Sequence, residues 1–265
     1  MNPISLAPSD LAITASLVLA DALLSVVLRL RLHRQVLIAA TRMVVQLVAI
    51  GFILRAVFAL HHPAATLGVV VVMTLVAARE VAARPERRFA DRSSLWLALV
   101  SVAIATYLTA ALALTTAVRP QPWYDARYVI VLVGIILGNA LNAGSLSLDA
   151  LLASAARERP SVEAQLCLGE RYWIAIAPLV REAVRRGMLP IINQMSAAGL
   201  VTLPGVMTGQ ILAGLDPLEA VKYQILLMFL LAGASGLCAL IVAYLAAWRL
   251  TDERERLRLD RLVSR

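Results

Sequence analysis

Residues 199–229 read GLVTLPGVMTGQILAGLDPLEAVKYQILLMF. The stretch is apolar enough to lie in a membrane, yet Gly199, Pro204, Gly205, Gly209 and Gly214 interrupt it. Proline removes a backbone donor and clashes with the preceding turn. In hydrocarbon an unpaired backbone group is costly, so interrupted helix survives there only inside protein or beside a water-filled cavity. Membrane proteins that move solutes place such interruptions at their moving or substrate-facing parts. The stretch therefore predicts a broken membrane helix followed by a continuous one.

The rest of the chain agrees with a membrane setting. Of its 265 residues, 60% are hydrophobic, and the mean hydropathy is +0.79. A soluble domain is about 45–50% apolar. The net charge of +8 does not point to nucleic acid, because the arginines sit in short segments between apolar runs. Two cysteines, Cys167 in a polar loop and Cys238 in an apolar run, imply no disulfide framework. No Lys or Arg precedes the first apolar run, so it reads as a retained span rather than a signal peptide.

Seven spans are expected, at about 20 residues each: Leu11–Leu28, Val36–Leu54, Ala64–Ala78 (running on to Ala83), Leu95–Val118, Tyr128–Leu152, Met188–Gly214 and Pro217–Trp248. The sixth is the broken one. The longest polar segment, about 153–187, is too short for a soluble domain, so residues 1–265 form one transmembrane domain. With the N-terminus outside, 20 Lys and Arg fall on inner segments and 4 on outer ones, while Arg42 lies within a span. That asymmetry predicts an outside N-terminus and a cytoplasmic C-terminus. Trp123, Tyr124 and Tyr128 at an outer boundary, and Trp96 and Trp248 at inner ones, fit an interfacial belt.

The polar segment 153–187 contains Glu163-Ala164-Gln165-Leu166-Cys167-Leu168-Gly169. This resembles the Glu-Ala-Ala…Gly loop of ATP-binding-cassette (ABC) importer permeases, with its glycine at the same offset. Leu189-Pro190 comes later here than the importer pattern places it. Together with residues 199–229, the segment resembles the FetB/YbbM-like permeases, the membrane subunits of a group of ABC transporters that includes plant aluminium-tolerance permeases. The resemblance is strongest from Glu163 to Phe229. It implies that Glu163, Ala164, Gln165, Leu168 and Gly169 form a coupling helix docked on a cytosolic ATPase. ATP and magnesium would be bound by that partner, with no cofactor in this chain. It further implies a homodimer in the bacterial inner (plasma) membrane and a role in metal homeostasis such as iron export. Without a partner, the same segment would be a solvated amphipathic helix.

Three other features invite a functional reading. Asn139, Asn142, Ser145 and Asp149 recur at helical spacing and share one face. They could line a path for a polar or cationic substrate, with Asp149, Asn139 and Asn142 as hard oxygen ligands; they could equally join helices. Arg42 sits about 10 Å into the second span. It could snorkel, bind an anionic substrate group or pair with Asp21. Asp216 should cap a helix starting at Pro217, with Glu219 at the third position.

The sequence lacks other chemistries. There is no Gly-x-x-x-x-Gly-Lys-Ser/Thr loop and no His-Glu-x-x-His, and His33, His61 and His62 lie in or beside loops. Met195, Met207 and Cys238 are too sparse for a soft-metal site. The expectation is an all-helical seven-span permease that is not itself an enzyme, with Gly199, Pro204, Gly205 and Gly209 at its gating break. The alternative is an ion-driven secondary transporter, which would use Asp21 and Asp149, the carboxylates available in the spans.

Overall fold

The computed structural model describes residues 8–60 and 62–264. The first seven residues, His61 and Arg265, used above for orientation and motifs, lie outside the described residues. The chain divides into two units. The first holds α1 (Pro8–Val27), α2 (His33–Leu60) and Leu212–Gly214. A tight turn joins the two helices. The Ser25 hydroxyl accepts from the Leu32 amide at 2.9 Å, and Arg29 and Arg31 take left-handed φ of 55° and 58°. Both helices expose apolar side chains over most of their surface, as helices do when lipid rather than protein covers them.

The second unit holds the remaining helices. They are α3 (Pro63–Ala83), α4 (Ser93–Ala113, continued by a π-helical turn to Val118), α5 (Ala126–Arg157), α6 (Arg159–Cys167), α7 (Tyr172–Ala197), α8 (Gly205–Leu212, all but its last residue) and α9 (Pro217–Arg249). Asp125 caps α5 by accepting from the Arg127 amide at 3.0 Å. Asp216 caps α9 as expected, accepting from Leu218 at 2.9 Å, with Pro217 in the first turn. Lipid offers no hydrophobic drive between helices, so close approach through small residues holds them together. The core follows that rule. Ala98, Ala140, Ala234, Ala239, Ala243 and Ala246 are fully buried, with Leu148, Leu151 and Val242 filling the space between.

The buried positions of α7 are Tyr172, Ala175, Ile176, Val180, Ala183, Gly187 and Ile191, a single stripe at helical spacing. At Gly187 an added Cβ would lie 2.7 Å from the Ala143 carbonyl oxygen and 3.0 Å from the Cβ atoms of Ala239 and Ser147. Glycine at this point lets α7 pass against the backbone of α5 and the side of α9.

Two expectations need correction here. Residues 153–187 are not a loop: they comprise the end of α5, all of α6 and the first half of α7. The sixth span, expected to be broken, is interrupted, but its bounds are not Met188–Gly214. Its first part belongs to α7, which starts at Tyr172 and carries Pro178 and Pro190 within it, and its last part is the short α8. Arg181, Glu182, Arg185 and Arg186 lower the hydropathy of α7, so charge on its outward face concealed a helix whose inward face is apolar. Among the described residues, six helices are long and apolar enough to cross a membrane: α1, α2, α3, α4 with its π-turn, α5 and α9.

One end of the second unit is built around the C-terminal tail. Strand β1 (Arg87–Phe89), between α3 and α4, pairs antiparallel with β2 (Leu262–Ser264). Arg249 closes an ion pair with Asp91 at 2.7 Å, and Arg261 donates to the carbonyls of Arg249 and Thr251, capping α9. At the same end, the Tyr172 hydroxyl donates to the Ala247 carbonyl at 2.7 Å. At the opposite end, the Thr66 hydroxyl donates to the Tyr124 carbonyl, and the first turns of α5 and α9 share a pocket with α8.

Candidate functional site

The tail end carries the segment singled out from the sequence. Pro160 in its first turn suits the start of α6, because the missing N–H there has no intrahelical acceptor. Gly169, at φ +91°, turns the chain out toward α7, a conformation that side chains resist. Glu163 pairs with Arg159 at 2.8 Å on the exposed face. Leu168 follows the helix with 85% of its surface exposed. An apolar side chain this exposed, beside charges and at a polar end of the bundle, suits contact with another protein.

Against α6 lies the tail. Glu163, Leu166, Cys167 and Glu170 form one wall of a groove of about 720 Å³, and residues 254–258 form the other. The groove therefore opposes carboxylates to guanidiniums. Its tail wall is fixed by Asp252, whose side chain is only 12% exposed and accepts from Arg256 at 2.7 Å and from the Arg254 and Arg256 amides. Glu255 accepts from the Tyr172 amide at 2.8 Å, tying the tail to the first turn of α7. This arrangement was not legible in the sequence, since nothing local marks residues 251–264 as packed.

Hydrogen bonds from Ser93, followed by the Arg249 guanidinium, hold the Asp91 carboxyl down to about 2. Arg258 holds Asp260 down to about 2 as well, and Arg256 lowers Asp252 further. A depressed carboxylate pKa adds stability that is complete above the unfolded value and lost as pH falls through the folded one. Docking of the tail should therefore be constant above about pH 4 and weaken as pH falls toward 2. Hydrogen exchange of amides 251–264, corrected for intrinsic rate, measures this. Release of the tail between about pH 6 and 5 (roughly one to two units above that onset) would contradict it.

The polar stripe on α5 is engaged in structural bonds at its tail-proximal part. Asn142 accepts from Arg84 at 3.0 Å, and Asp149 accepts from the Glu86 amide at 3.1 Å, holding the exit from α3. Asn139 donates to the Ile135 carbonyl of its own helix. Ser145 is buried, and its hydroxyl has no partner among the described residues. No group of three or more His, Cys, Asp or Glu that could hold a metal occurs among the described residues. Arg42 belongs to the first unit, exposed on α2 with Thr41 and Gln46 around a shallow depression.

The break runs from Ala198 to Pro204. Gly199 takes φ +87° and donates to the Thr202 carbonyl at 2.9 Å, while the Val201 and Thr202 amides return to Ala197. Pro204 does not kink a helix; its carbonyl accepts from the Thr208 amide at 3.0 Å and so begins α8. The amides of Ala198, Gly199, Val201 and Thr202 bond within this tight turn, while Leu200 and Val201 are 93% and 81% exposed. Gly205 and Gly209 have open space where a Cβ would stand.

The sequence matches the model of an uncharacterised protein family, UPF0014, over residues 8–250. A UPF0014 membrane protein of Synechocystis sp. is 42% identical over 219 residues, covering 80% of this chain and 82% of its own length. The probable iron export permease protein FetB of Escherichia coli is 29% identical over 268 residues, covering all of both chains. Protein ALUMINUM SENSITIVE 3 of Arabidopsis thaliana is 28% identical over 228 residues, covering 86% of this chain and 81% of its own length. No solved structure matches the chain.

Proposed function

Because the chain belongs to the UPF0014 family of membrane proteins, we propose that it is the transmembrane permease subunit of an ABC transporter that exports iron or a similar metal ion. In this reading a separate cytosolic ATPase binds ATP and magnesium, and two copies of the chain form the substrate path in the bacterial inner membrane. One observation carries it: α6, a short helix with Leu168 exposed at its end and Gly169 at φ +91°, presented at the arginine-rich end of the bundle. A full-length relative bears the name of a probable iron export permease.

The same reading has the chain crossing the membrane seven times, with the tail end cytoplasmic. The order of ends supports this. The starts of α4 and α7 and the ends of α5 and α9 gather with the tail, whereas the starts of α5 and α9 meet at the other end. In this reading residues 172–216 supply the further crossing, as α7, the turn and α8 together. The secondary-transporter alternative gains no support from Asp149, which is occupied as an acceptor for the Glu86 amide.

The test is co-expression with candidate stand-alone ABC ATPases, followed by reconstitution in proteoliposomes. ATP-dependent movement of ferrous iron, with ATP hydrolysis stimulated several-fold by the permease, is the expected result. Transport driven by a proton gradient without ATP would overturn the proposal.

If the turn at Ala198–Pro204 is part of gating, the Pro204→Ala, Gly205→Ala double variant should fold and retain its ATPase yet transport several-fold more slowly. The open space at Gly205 means that little folding energy is at stake, about 1 kcal/mol or less. Full transport in the double variant would reduce the turn to packing.

A further inference from the structure

Gly187 fixes the register of α7 on its neighbours. An added Cβ there would lie 2.7 Å from the Ala143 carbonyl oxygen of α5 and 3.0 Å from the Cβ atoms of Ser147 and of Ala239 in α9. α5 runs toward the tail end and α7 runs away from it, so residues beyond Gly187 pass earlier residues of α5, at about 1.5 Å each. Asn193 and Gln194 therefore stand about 10 Å beyond the contact, at the level of Gly138 and Asn139. That level is near the middle of the apolar run of α5, one of the helices long enough to cross a membrane.

Helical spacing also sets the faces. Asn139 precedes Ala143 by four residues and Ser147 by eight, so it shares the side of α5 that meets α7. Gln194 follows Ile191 by three and Gly187 by seven, so it shares the side of α7 that meets α5. Ile191 is buried, yet Gln194 is exposed. The two helices thus part just beyond Ile191, next to Pro190, a residue type that bends helices. The α5 side of the gap is open as well: Gly138 is exposed, and a Cβ added to it meets nothing within 4 Å.

The polar groups at this gap have bonding capacity to spare. Asn139 spends its side-chain NH2 on the Ile135 carbonyl at 3.2 Å, and its oxygen takes no donor among the described residues. Asn193 and Gln194 are exposed, and their side chains make no hydrogen bond among the described residues. Amides left unpaired against lipid at this depth are costly, whereas water or a polar solute satisfies them. Amide oxygens are hard ligands that can replace part of a cation's water shell. Without a carboxylate among them they hold a divalent ion weakly enough to let it leave, as conduction requires.

We propose that the gap between α5 and α7 is a water-filled stretch of the substrate path, in which Asn139, Asn193 and Gln194 hold a hydrated divalent cation. The inference rests on the permease reading and extends it, giving the path two of its walls and its polar groups.

Thiol accessibility tests the gap without ATP or an ATPase, so its failure is separate from a failure of ATP-driven transport. Cys238 is buried and is kept; the full chain with Cys167→Ser, in open membranes, gives the background rate. In that chain Gln194→Cys and Asn193→Cys should react with the charged, membrane-impermeant trimethylammonium-ethyl methanethiosulfonate at least ten times faster than Phe229→Cys. Phe229 is an exposed apolar position on α9, about 15 Å from Ala239 in the same direction. Excess manganese(II) should slow the labelling several-fold, and sodium chloride of equal ionic strength should not. Labelling of both α7 positions no faster than that of Phe229→Cys would overturn the water-filled gap. Disulfide cross-linking of Gln194→Cys between two chains, in place of labelling, would overturn it by giving this face to a second copy. Fast labelling that manganese does not slow would overturn the bound cation.

Discussion

Gly187→Val is expected to separate α7 from α5 and α9 and to give the largest loss of stability of any single glycine substitution. Even the first carbon of the new side chain would sit 2.7 Å from the Ala143 carbonyl oxygen and 3.0 Å from the Cβ atoms of Ala239 and Ser147. None of these atoms can rotate away, because one is backbone and the others are fixed to it. The helices must move apart, and overpacking of this kind costs about 3 kcal/mol, the upper part of its usual range. Gly144→Ala meets the Cys238 sulfur at 2.9 Å, an atom on a single rotatable bond, and the Val81 methyls at an ordinary 3.7–3.8 Å, and should cost less. Gly138→Ala meets nothing and should be neutral or slightly stabilising, since alanine is the better helix former. Melting temperatures of the three variants in one detergent measure the order. A Gly187→Val protein as stable as the Gly138→Ala protein would show that α7 does not depend on this contact.

Glu163→Arg combined with Leu168→Asp should abolish ATP-driven transport, lowering it by tenfold or more, while the bundle stays folded. Glu163 is held only by the exposed pair with Arg159, and such helix pairs contribute about 0.3–0.5 kcal/mol. Leu168 contributes almost no buried surface within the chain, because most of it is exposed. The double change therefore inverts a charge and removes an apolar knob on the proposed ATPase contact without touching the core. Co-purification of the ATPase and its stimulated hydrolysis are the measurements. Undiminished binding and hydrolysis would remove α6 from the coupling role. Gly169→Val separates geometry from contact chemistry: it keeps both side chains but forces a left-handed residue, at a cost of about 1–2 kcal/mol.

The sequence by itself determined the membrane class, the family and most of the helices. Runs such as Pro217–Arg249 and Ser93–Val118 are apolar over a membrane's thickness, and that property is local, so it reads directly from composition. Caps were legible for the same reason: Asp216 bonds amides only two and three residues ahead. The interruption at 198–204 was legible from its glycines and proline, although its tight exposed turn was not. Only the tertiary structure decided what α7 is, because its charged outward face outweighs the buried stripe from Tyr172 to Ile191 in any average along the chain. It also decided that Asn142 and Asp149 bond Arg84 and the Glu86 amide, that residues 251–264 return to pair with β1, and that Gly187 meets Ala143 and Ala239. Each of these joins residues far apart in the chain, and neither hydropathy nor helical spacing carries information about which distant backbone will stand opposite.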